Sequence, residues 1–452
     1  MSNQMITPNL PEVMADSDSQ SIQNAIALAK QTGENRITIP RMNARTGKTV
    51  WEISEAILLP SEITVLLEDC HLRMADGVRC NMFTNSNART ELGNTPEGEQ
   101  YGIHLIGTGN AVLDGGEPNG LNEFTTREPG MPHVSQNLTI YLHNVRDFSL
   151  TGFTVQNQRW WAICMMFARN GRLSKLNFKL TRHAIDTWER WRNQDGIDLR
   201  VGCSNILLED LEGEVGDDFI ALTALSSPRF EEAERVVGAD RDIHDVIIRN
   251  IRAITNQCAI IRLLNHFGQK IYNISMENIY DISRPGKEAR TQMVLRIGDD
   301  AGAYHRNDPA LRAKSGELYN ISINNVYSRA MCAVNVCTAV KNLSARNVYV
   351  HSDGGYALFC GYTTLDQVIL YLPERQEEYD AIKLRDYDSP PAELENIQVE
   401  NVYYTANGAY GDSIIRVWNA NLRNVSVKNV QSDSNVPLIT YAGNHNGTVE
   451  IL

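Results

Sequence analysis

Short segments with alternating apolar residues recur along the chain. Each opens on Asn or Asp, and most carry a second Asn just before the last apolar residue. The copies are DFSLTGF (147–153), NILLEDL (205–211), DVIIRNI (245–251), NISMENI (273–279), NISINNV (320–326), NLSARNV (342–348), NIQVENV (396–402) and NVSVKNV (424–430), with a degenerate copy at 173–178. Alternation with a period of two is typical of a β-strand that buries one face. Each copy therefore predicts one short strand.

The spacing of the copies predicts how these strands are arranged. The shortest intervals are about 22 to 28 residues, which fits one turn of a three-sheeted coil with loops of variable length at its corners. A propeller would need four strands per repeat at a longer and steadier period. We therefore expect an all-β fold, a single-stranded right-handed parallel β-helix (solenoid), as one domain over residues 1–452. In this division residues 1–36 are the N-terminal segment and capping helix, and residues 37–452 are the β-helix with its inserted loops.

The recurring Asn predicts a ladder along one corner of the coil. Stacked Asn side chains can hydrogen-bond up and down the coil, and Asn tolerates the left-handed backbone that a sharp bend requires. An Asn of the repeat is therefore interpreted as structural rather than as part of a site.

The elements outside the repeat are predicted from periodicity and turn residues. Residues 19–31 place Ile22, Ala25, Ile26 and Ala29 at helical spacing, which predicts an amphipathic helix that caps the first rung. Residues 36–40 and 63–67 are predicted strands. The predicted loops are 89–101, 118–135, 226–240, 283–290 and 354–391, and the last is long enough for a lid or an oligomer contact.

Composition and charge narrow the class of protein. The chain is 42% hydrophobic and 21% charged, as expected of a folded protein. Its formal net charge of −13 repels nucleic acid and anionic membranes. The sequence contains no run of about 18 apolar residues, so no membrane helix is predicted.

The 8 cysteines are scattered without zinc-ligand spacing, so most are expected to be reduced core residues. No signal peptide is apparent, and we expect a cytoplasmic protein, or a secreted one if a leader was removed.

Two neighbouring segments concentrate acids. NQDGID (193–198) is followed about 22 residues later by GDDFIA (216–221), which places Asp195, Asp217 and Asp218 at the same corner of adjacent rungs. Like charges this close cannot all be ionised cheaply, so at least one pKa should rise, as a general acid near neutrality requires. A single Asp-Gly or Asp-Asp is most often a bend. Two at one-rung spacing favour a site.

These motifs resemble those of glycoside hydrolase family 28, the polygalacturonases and their relatives, whose pattern is NTDGID followed by GDDCIAI. The turn at 112–116 and residues 157–161 are also similar to that family. The resemblance implies an inverting hydrolase that needs no cofactor or metal. Asp217 would protonate the leaving oxygen, while Asp195 and Asp218 would hold and deprotonate the attacking water. An inverting enzyme needs a gap between acid and base that admits this water.

The chain departs from the family pattern at two places. The usual Gly-His-Gly is replaced by Asn256 to Ala259, and the usual Arg-Ile-Lys by Arg296-Ile297-Gly298. Because the lysine and arginine would grip a uronate carboxylate, the substrate need not be polygalacturonate. Arg262 and Arg296 are predicted to bind the substrate. His266, after the strand that carries Arg262, and His305 are candidates to line the cleft in place of the missing histidine, with an ordinary surface histidine as the alternative for each.

Aromatic and basic residues just before Asp195 are candidates for a sugar subsite. Indole rings pack on the C–H faces of sugars and guanidinium groups bind carboxylates, so Trp188, Trp191 and Arg192 are interpreted as a subsite wall. The alternative is that these tryptophans pack with Trp160 and Trp161 beneath a loop.

The function predicted from sequence is hydrolysis of a plant-type oligosaccharide that contains uronate or rhamnose, with exo-action. One alternative is a β-helix polysaccharide lyase, which would use a calcium site and an arginine base. The other is a non-catalytic carbohydrate-binding coil. The expected partner is the oligosaccharide, with neither nucleic acid nor membrane, and the chain could form a homo-oligomer.

Overall fold

The fold is a right-handed parallel β-helix, as the repeat predicts. The computed structural model describes residues 5–122, 125–181, 193–224, 235–256, 258–266, 268–284, 291–298, 313–351, 353–361, 391–406 and 411–452. These residues form one α-helix and 28 strands. The chain divides into two compact units, Met1–Asp217 with Ser227–Asp240 and Asp218–Ser226 with Arg241–Leu452.

The first unit contains the helix and the first strands. They are α1 (Asp18–Thr32), β1 (Arg36–Pro40), β2 (Val50–Ile53), β3 (Ile57–Leu59), β4 (Ile63–Glu68), β5 (His71–Met74), β6 (Phe83–Asn85), β7 (Gln100–Tyr101), β8 (Ile103–Thr108), β9 (Val112–Asp114), β10 (Ile140–Thr151), β11 (Thr154–Gln156), β12 (Ile163–Ser174), β13 (Asn177–Lys179), β14 (Ile197–Arg200) and β15 (Ser204–Val215). Short 3-10 helices occur at Leu92–Asn94, Pro96–Gly98, Thr125–Arg127 and Val134–Asn137.

The helix α1 lies against β1, β2 and β3, which confirms the predicted cap. The Ser17 side chain accepts a hydrogen bond from the backbone N–H of Gln20 and so caps the N-terminus. Gly33 ends the helix in the left-handed region, at φ 76°. The apolar face that the sequence predicts is buried, including Ile22 and Ile26, so the helix covers core side chains that would otherwise meet solvent.

The strands of the first unit stack in parallel, one rung on the next. Strand β10 pairs with β12 over most of its length, and β12 continues onto β14 and β15. Strands β9, β11 and β13 form a second stack. Side chains on alternate positions fill the coil, so Leu142, Met165 and Leu199 are fully buried in register.

The second unit contains the remaining strands. They are β16 (Ile220–Ala224), β17 (Ile243–Thr255), β18 (Ala259–Asn265), β19 (Ile271–Asp281), β20 (Met293–Ile297), β21 (Leu318–Ser328), β22 (Cys332–Val336), β23 (Val340–Val350), β24 (Tyr356–Gly361), β25 (Ala392–Tyr404), β26 (Ile415–Ser432), β27 (Ile439–Asn446) and β28 (Val449–Ile451). Strands β16, β18, β20, β22, β24 and the start of β26 form one stack. Strands β17, β19, β21, β23, β25 and the rest of β26 form another.

Two Asn ladders run along the second stack of this unit. Asn320 donates to Asn273 over 3.2 Å and Asn342 donates to Asn320 over 3.1 Å, so the first Asn of each copy stacks on the next. The second Asn of each copy forms a parallel ladder, for example from Asn325 to Asn278. Asn320 and Asn342 have φ of 56° and 57°, the left-handed bend that Asn tolerates. The predicted structural role of the repeat Asn is confirmed.

One predicted loop is partly wrong. Residues 354–391 contain the strand Tyr356–Gly361, which pairs with β22 and β26 as a full member of the coil. Its apolar run without alternation resembles the fully buried strands β18 and β20, and it lacks the Asn signal of the repeat. The sequence pattern therefore predicted the strands that carry the repeat Asn, but not the strand Tyr356–Gly361 of the neighbouring stack.

The cysteines agree with the prediction of reduced core residues. All 8 lie in the described part of the chain, none forms a disulfide, and six of them are buried. Among the helices that the structure describes, none is long and apolar enough to cross a membrane.

Candidate functional site

Asp195 lies in the short segment that leads into β14. Its backbone carbonyl accepts a hydrogen bond of 2.9 Å from the N–H of Ala162, and its side chain is buried. The preceding Gln194 exchanges hydrogen bonds with Gln158: each side-chain amide donates to the other residue's carbonyl, at 2.6 and 3.1 Å. This reciprocal pair fixes the backbone that presents Asp195.

Gly216 and Asp217, the part of the GDD motif in the first unit, follow directly on a contact with the Asp195 segment. The N–H of Gly216 donates to the carbonyl of Gln194 over 3.1 Å, so the two acid motifs lie on adjacent rungs, as their spacing predicts. A Cβ at Gly216 would come within 2.8 Å of the Gln194 side-chain oxygen, so this close approach requires glycine. Asp217 follows at once and is half-buried, which leaves its carboxyl group partly accessible.

Asp218, the first residue of the second unit, is buried and held by three donors. Its Oδ2 pairs with Nη1 of Arg262 at 3.1 Å, and the two side chains are 2% and 8% exposed. Its Oδ1 accepts from the Cys258 thiol at 2.8 Å and from the Ala259 N–H at 3.1 Å. The carboxylate therefore has a fixed orientation, with two donors on Oδ1 and one on Oδ2.

Arg262 and Arg296 lie side by side on β18 and β20. Their backbones are partners in the parallel register, which places their Cα atoms about 4.8 Å apart. Both residues are buried. Two guanidinium-bearing side chains therefore lie next to one another on this face of the second unit, and that of Arg262 is paired with Asp218.

Of the other candidate residues, His266 lies in the described part of the chain. His266 is buried at the far end of β18, about 13 Å along the strand from Arg262, where its N–H donates to the carbonyl of Ala224. It does not lie at the Asp218 end of the strand. His305, Trp188, Trp191 and Arg192 lie outside the described residues, so their assignment to the cleft stays a prediction.

An apolar cluster covers the outer face of β10 and β12 in the first unit. Trp160 and Trp161 stack with ring centroids 4.0 Å apart, and Arg89 lies over the Tyr141 ring at 4.7 Å. The alternative that Trp188 and Trp191 pack against these two rings concerns residues outside the described part of the chain and stays a prediction. The cluster also includes Val134, Leu138, Cys164, Met166, Phe167, Val201 and Val236. Because Ala162 bonds to Asp195, this cluster begins immediately beside the Asp195 segment.

Asp198, three residues after Asp195, is buried. It is paired in register with Cys164, a member of the outer cluster, while the flanking Ile197 and Leu199 are fully buried core residues. It is therefore buried on the outer face.

Sequence reasoning missed the residues that hold the acids in place. The Gln158 side chain donates a hydrogen bond to the backbone carbonyl of Asp195, which is 37 positions away in the sequence. The Cys258 thiol donates to the Asp218 carboxylate, which is 40 positions away. Only the rung spacing could have pointed to them, because residues one or two turns apart in a coil become neighbours.

The chain thus has the fold of the right-handed parallel β-helix proteins, and solved structures share it at low sequence identity. A polygalacturonase from Erwinia carotovora ssp. carotovora matches with a TM-score of 0.50 and 14% identity, over 97% of this chain and 96% of its own. The A-module of a mannuronan C-5 epimerase from Azotobacter vinelandii matches with a TM-score of 0.53 and 11% identity, over 96% of each chain. A tailspike protein of an E. coli bacteriophage, bound to a pentasaccharide, matches with a TM-score of 0.52 and 12% identity, over 99% of this chain and 78% of its own.

No protein-family model and no curated protein matches the sequence. The similarity to solved structures therefore concerns the fold.

Proposed function

We propose that this protein is a glycoside hydrolase of the family 28 type, which cleaves a plant-type oligosaccharide by an inverting mechanism based on aspartates. The observation that carries the proposal is the hydrogen bond from Gly216 to Gln194, which sets the NQDGID and GDD motifs on adjacent rungs. Two acid motifs held together in this way supply the carboxyl groups that glycoside hydrolysis requires.

The surroundings of each acid support different roles. Asp217 is half-buried and follows a glycine, so it can approach a glycosidic oxygen and donate a proton to it as the bond breaks. Asp195 and Asp218 are buried and fixed by their neighbours, which suits groups that orient a water and accept its proton. We assign Asp217 as general acid and the other two as the water-binding pair.

The two adjacent arginines Arg262 and Arg296 suggest an acidic sugar. Arg262 and Arg296 lie in adjacent register, and guanidinium groups bind carboxylates through paired hydrogen bonds. The names of the similar structures point the same way, since one is a polygalacturonase and another acts on mannuronan. We therefore propose a pectin-type oligosaccharide that contains uronate, with a rhamnose-containing one as the alternative.

The ion pair of Arg262 favours hydrolysis over elimination. A lyase of the β-helix type would need an arginine that, as the neutral guanidine, accepts the proton next to a uronate carboxylate. Arg262 instead donates to Asp218 in a buried pair, which suits an arginine that positions a carboxylate.

The apolar cluster of the first unit supports exo-action. Trp160, Trp161 and Tyr141 are buried on the outer face of the rungs that precede Asp195. A polymer lying along these rungs would have to displace them. We propose that the end of the substrate lies beside Asp195 and that the substrate does not extend over these rungs.

A panel of plant-type oligosaccharides with a reducing-sugar readout tests the function. We expect new reducing ends from at least one uronate- or rhamnose-containing member, with activity unchanged by a calcium chelator. Loss of activity in chelator, together with an unsaturated product that absorbs in the ultraviolet, would identify a lyase. Binding without any cleavage would identify a non-catalytic coil.

A further inference from the structure

A second polar cluster lies on the same face of the second unit as Arg262 and Arg296. Successive residues in register across β18, β20, β22, β24 and β26 are Arg262, Arg296, Asn335, Phe359 and Arg416. Residues that share a register position lie on one face of a stack, with about 4.8 Å between strands. Arg416 therefore lies about 14 Å beyond Arg296 along the coil.

Neighbouring side chains hold the Arg416 guanidinium in one orientation. Its Nη1 donates to Oδ2 of Asp412 and, over 3.1 Å, to Oγ1 of Thr440. Its plane lies over the Trp418 ring, 5.4 Å from the ring centroid. Asp412 is itself fixed, because it accepts a hydrogen bond of 3.2 Å from the Tyr356 hydroxyl. Burial raises the pKa of Tyr356 to about 12, so this hydroxyl keeps its proton.

The arrangement leaves one edge of the guanidinium available. Toward the residues that the structure describes, the Arg416 side chain donates only from Nη1, and none of them accepts a hydrogen bond from Nε or Nη2. These two groups form the parallel donor pair that binds a carboxylate with both oxygens. The Arg416 side chain is 17% exposed, and Asp412 beside it is 54% exposed. The pair is therefore preorganised at a site that solvent reaches.

We propose that Arg416, held by Asp412, Thr440 and Trp418, is a distal subsite for the carboxylate of a uronate residue in a longer oligosaccharide. The inference rests on the proposed function for the identity of the chain that reaches it. Since Arg416 is three strands from Arg296, a short oligosaccharide bound at Asp218 and Arg296 does not extend to it. The subsite therefore adds affinity only for longer uronate chains.

Titration calorimetry on the full chain tests this subsite. The probes are a galacturonic acid dimer, a hexamer and the methyl ester of the hexamer, and the protein carries Asp217→Asn to prevent turnover. We expect Arg416→Gln to weaken hexamer binding by about tenfold or more, and to leave the dimer and the esterified hexamer unchanged. Arg416→Lys keeps the charge without the donor pair and should also weaken the hexamer.

The matched control is Arg423→Gln on the same strand. Arg423 is 69% exposed and pairs with Glu395, so its loss should leave all three affinities unchanged. An unchanged hexamer affinity in Arg416→Gln, an equal loss for the dimer, or no binding of any probe would overturn the subsite. Hexamer binding that depends on Arg416 in a protein that cleaves no oligosaccharide would overturn the proposed function and leave the subsite standing.

Discussion

At the scale of single residues, the acids differ in how they are held. Asp218 is enclosed by Arg262, Cys258 and a backbone N–H, whereas Asp217 is half-buried beside a glycine. The sequence predicted the three acids from their motif. It could not predict the Arg262 partner, because the pair joins residues 44 positions apart. Neither the roles of the three acids nor the expected rise of one pKa is tested by the geometry, so both stay predictions.

The buried pair predicts a large effect on stability. Arg262→Met leaves the Asp218 carboxylate buried without its cation, so we expect a loss of about 3 to 5 kcal/mol in the free energy of unfolding. The double variant with Asp218→Asn should lose much less than the sum of the single losses, because the uncompensated charge is gone. Denaturant unfolding measures both.

The exposed pair between Arg423 and Glu395 is the control, and Arg423→Met should cost less than about 1 kcal/mol. Equal losses for Arg262→Met and Arg423→Met would contradict the conclusion that burial makes Asp218 depend on its partner Arg262.

At the scale of elements, the repeat explains what could be predicted. Copies such as 320–326 contain both the strand alternation and the Asn of the ladder, so their strands were found. The strand Tyr356–Gly361 has neither signal and was assigned to a loop. A strand that is buried on both faces has no polar positions to mark its period, which is why the site-bearing stack was harder to predict than the ladder stack.

The ladder predicts a graded effect of substitution at Asn342. Its side chain donates to Asn320 and accepts from Asn396, and its φ is 57°. Asn342→Ala loses both hydrogen bonds and strains the left-handed backbone, so we expect a cost of about 2 kcal/mol. Asn342→Gly relieves the strain and should cost about 1 kcal/mol. Thermal unfolding distinguishes the two, and a glycine variant less stable than the alanine variant would refute the account of the bend.

At the scale of the whole molecule, the two compact units differ in the residues on their outer faces. Within the first unit, the outer face before Asp195 is filled by Trp160, Trp161 and their neighbours. Within the second unit, the outer face carries Arg262, Arg296 and Arg416 in one register. From the apolar cluster of the first unit we propose that attack occurs at a chain end.

The apolar cluster beside Asp195 predicts how a polymer is degraded. We expect reducing ends to appear while the viscosity of a pectin-type polymer falls slowly, because in the proposed exo-action the buried cluster beside Asp195 blocks mid-chain binding. Viscometry alongside a reducing-end assay measures this relation. A rapid fall in viscosity at low release of reducing ends would show endo-action and contradict the proposed blockage.

The central claim is that Asp217 donates the proton that breaks the glycosidic bond. The most direct test is the turnover of Asp217→Asn on the best substrate of the panel. The amide keeps the shape of the carboxyl group but cannot transfer the proton, so we expect a loss of about 10²- to 10⁴-fold with unchanged fold and substrate affinity. Asp210→Asn is the control, because Asp210 is exposed at a left-handed position (φ 54°) that suits Asn, and it should retain full activity. If Asp217→Asn kept more than about a tenth of wild-type turnover, the assignment of the general acid would be contradicted.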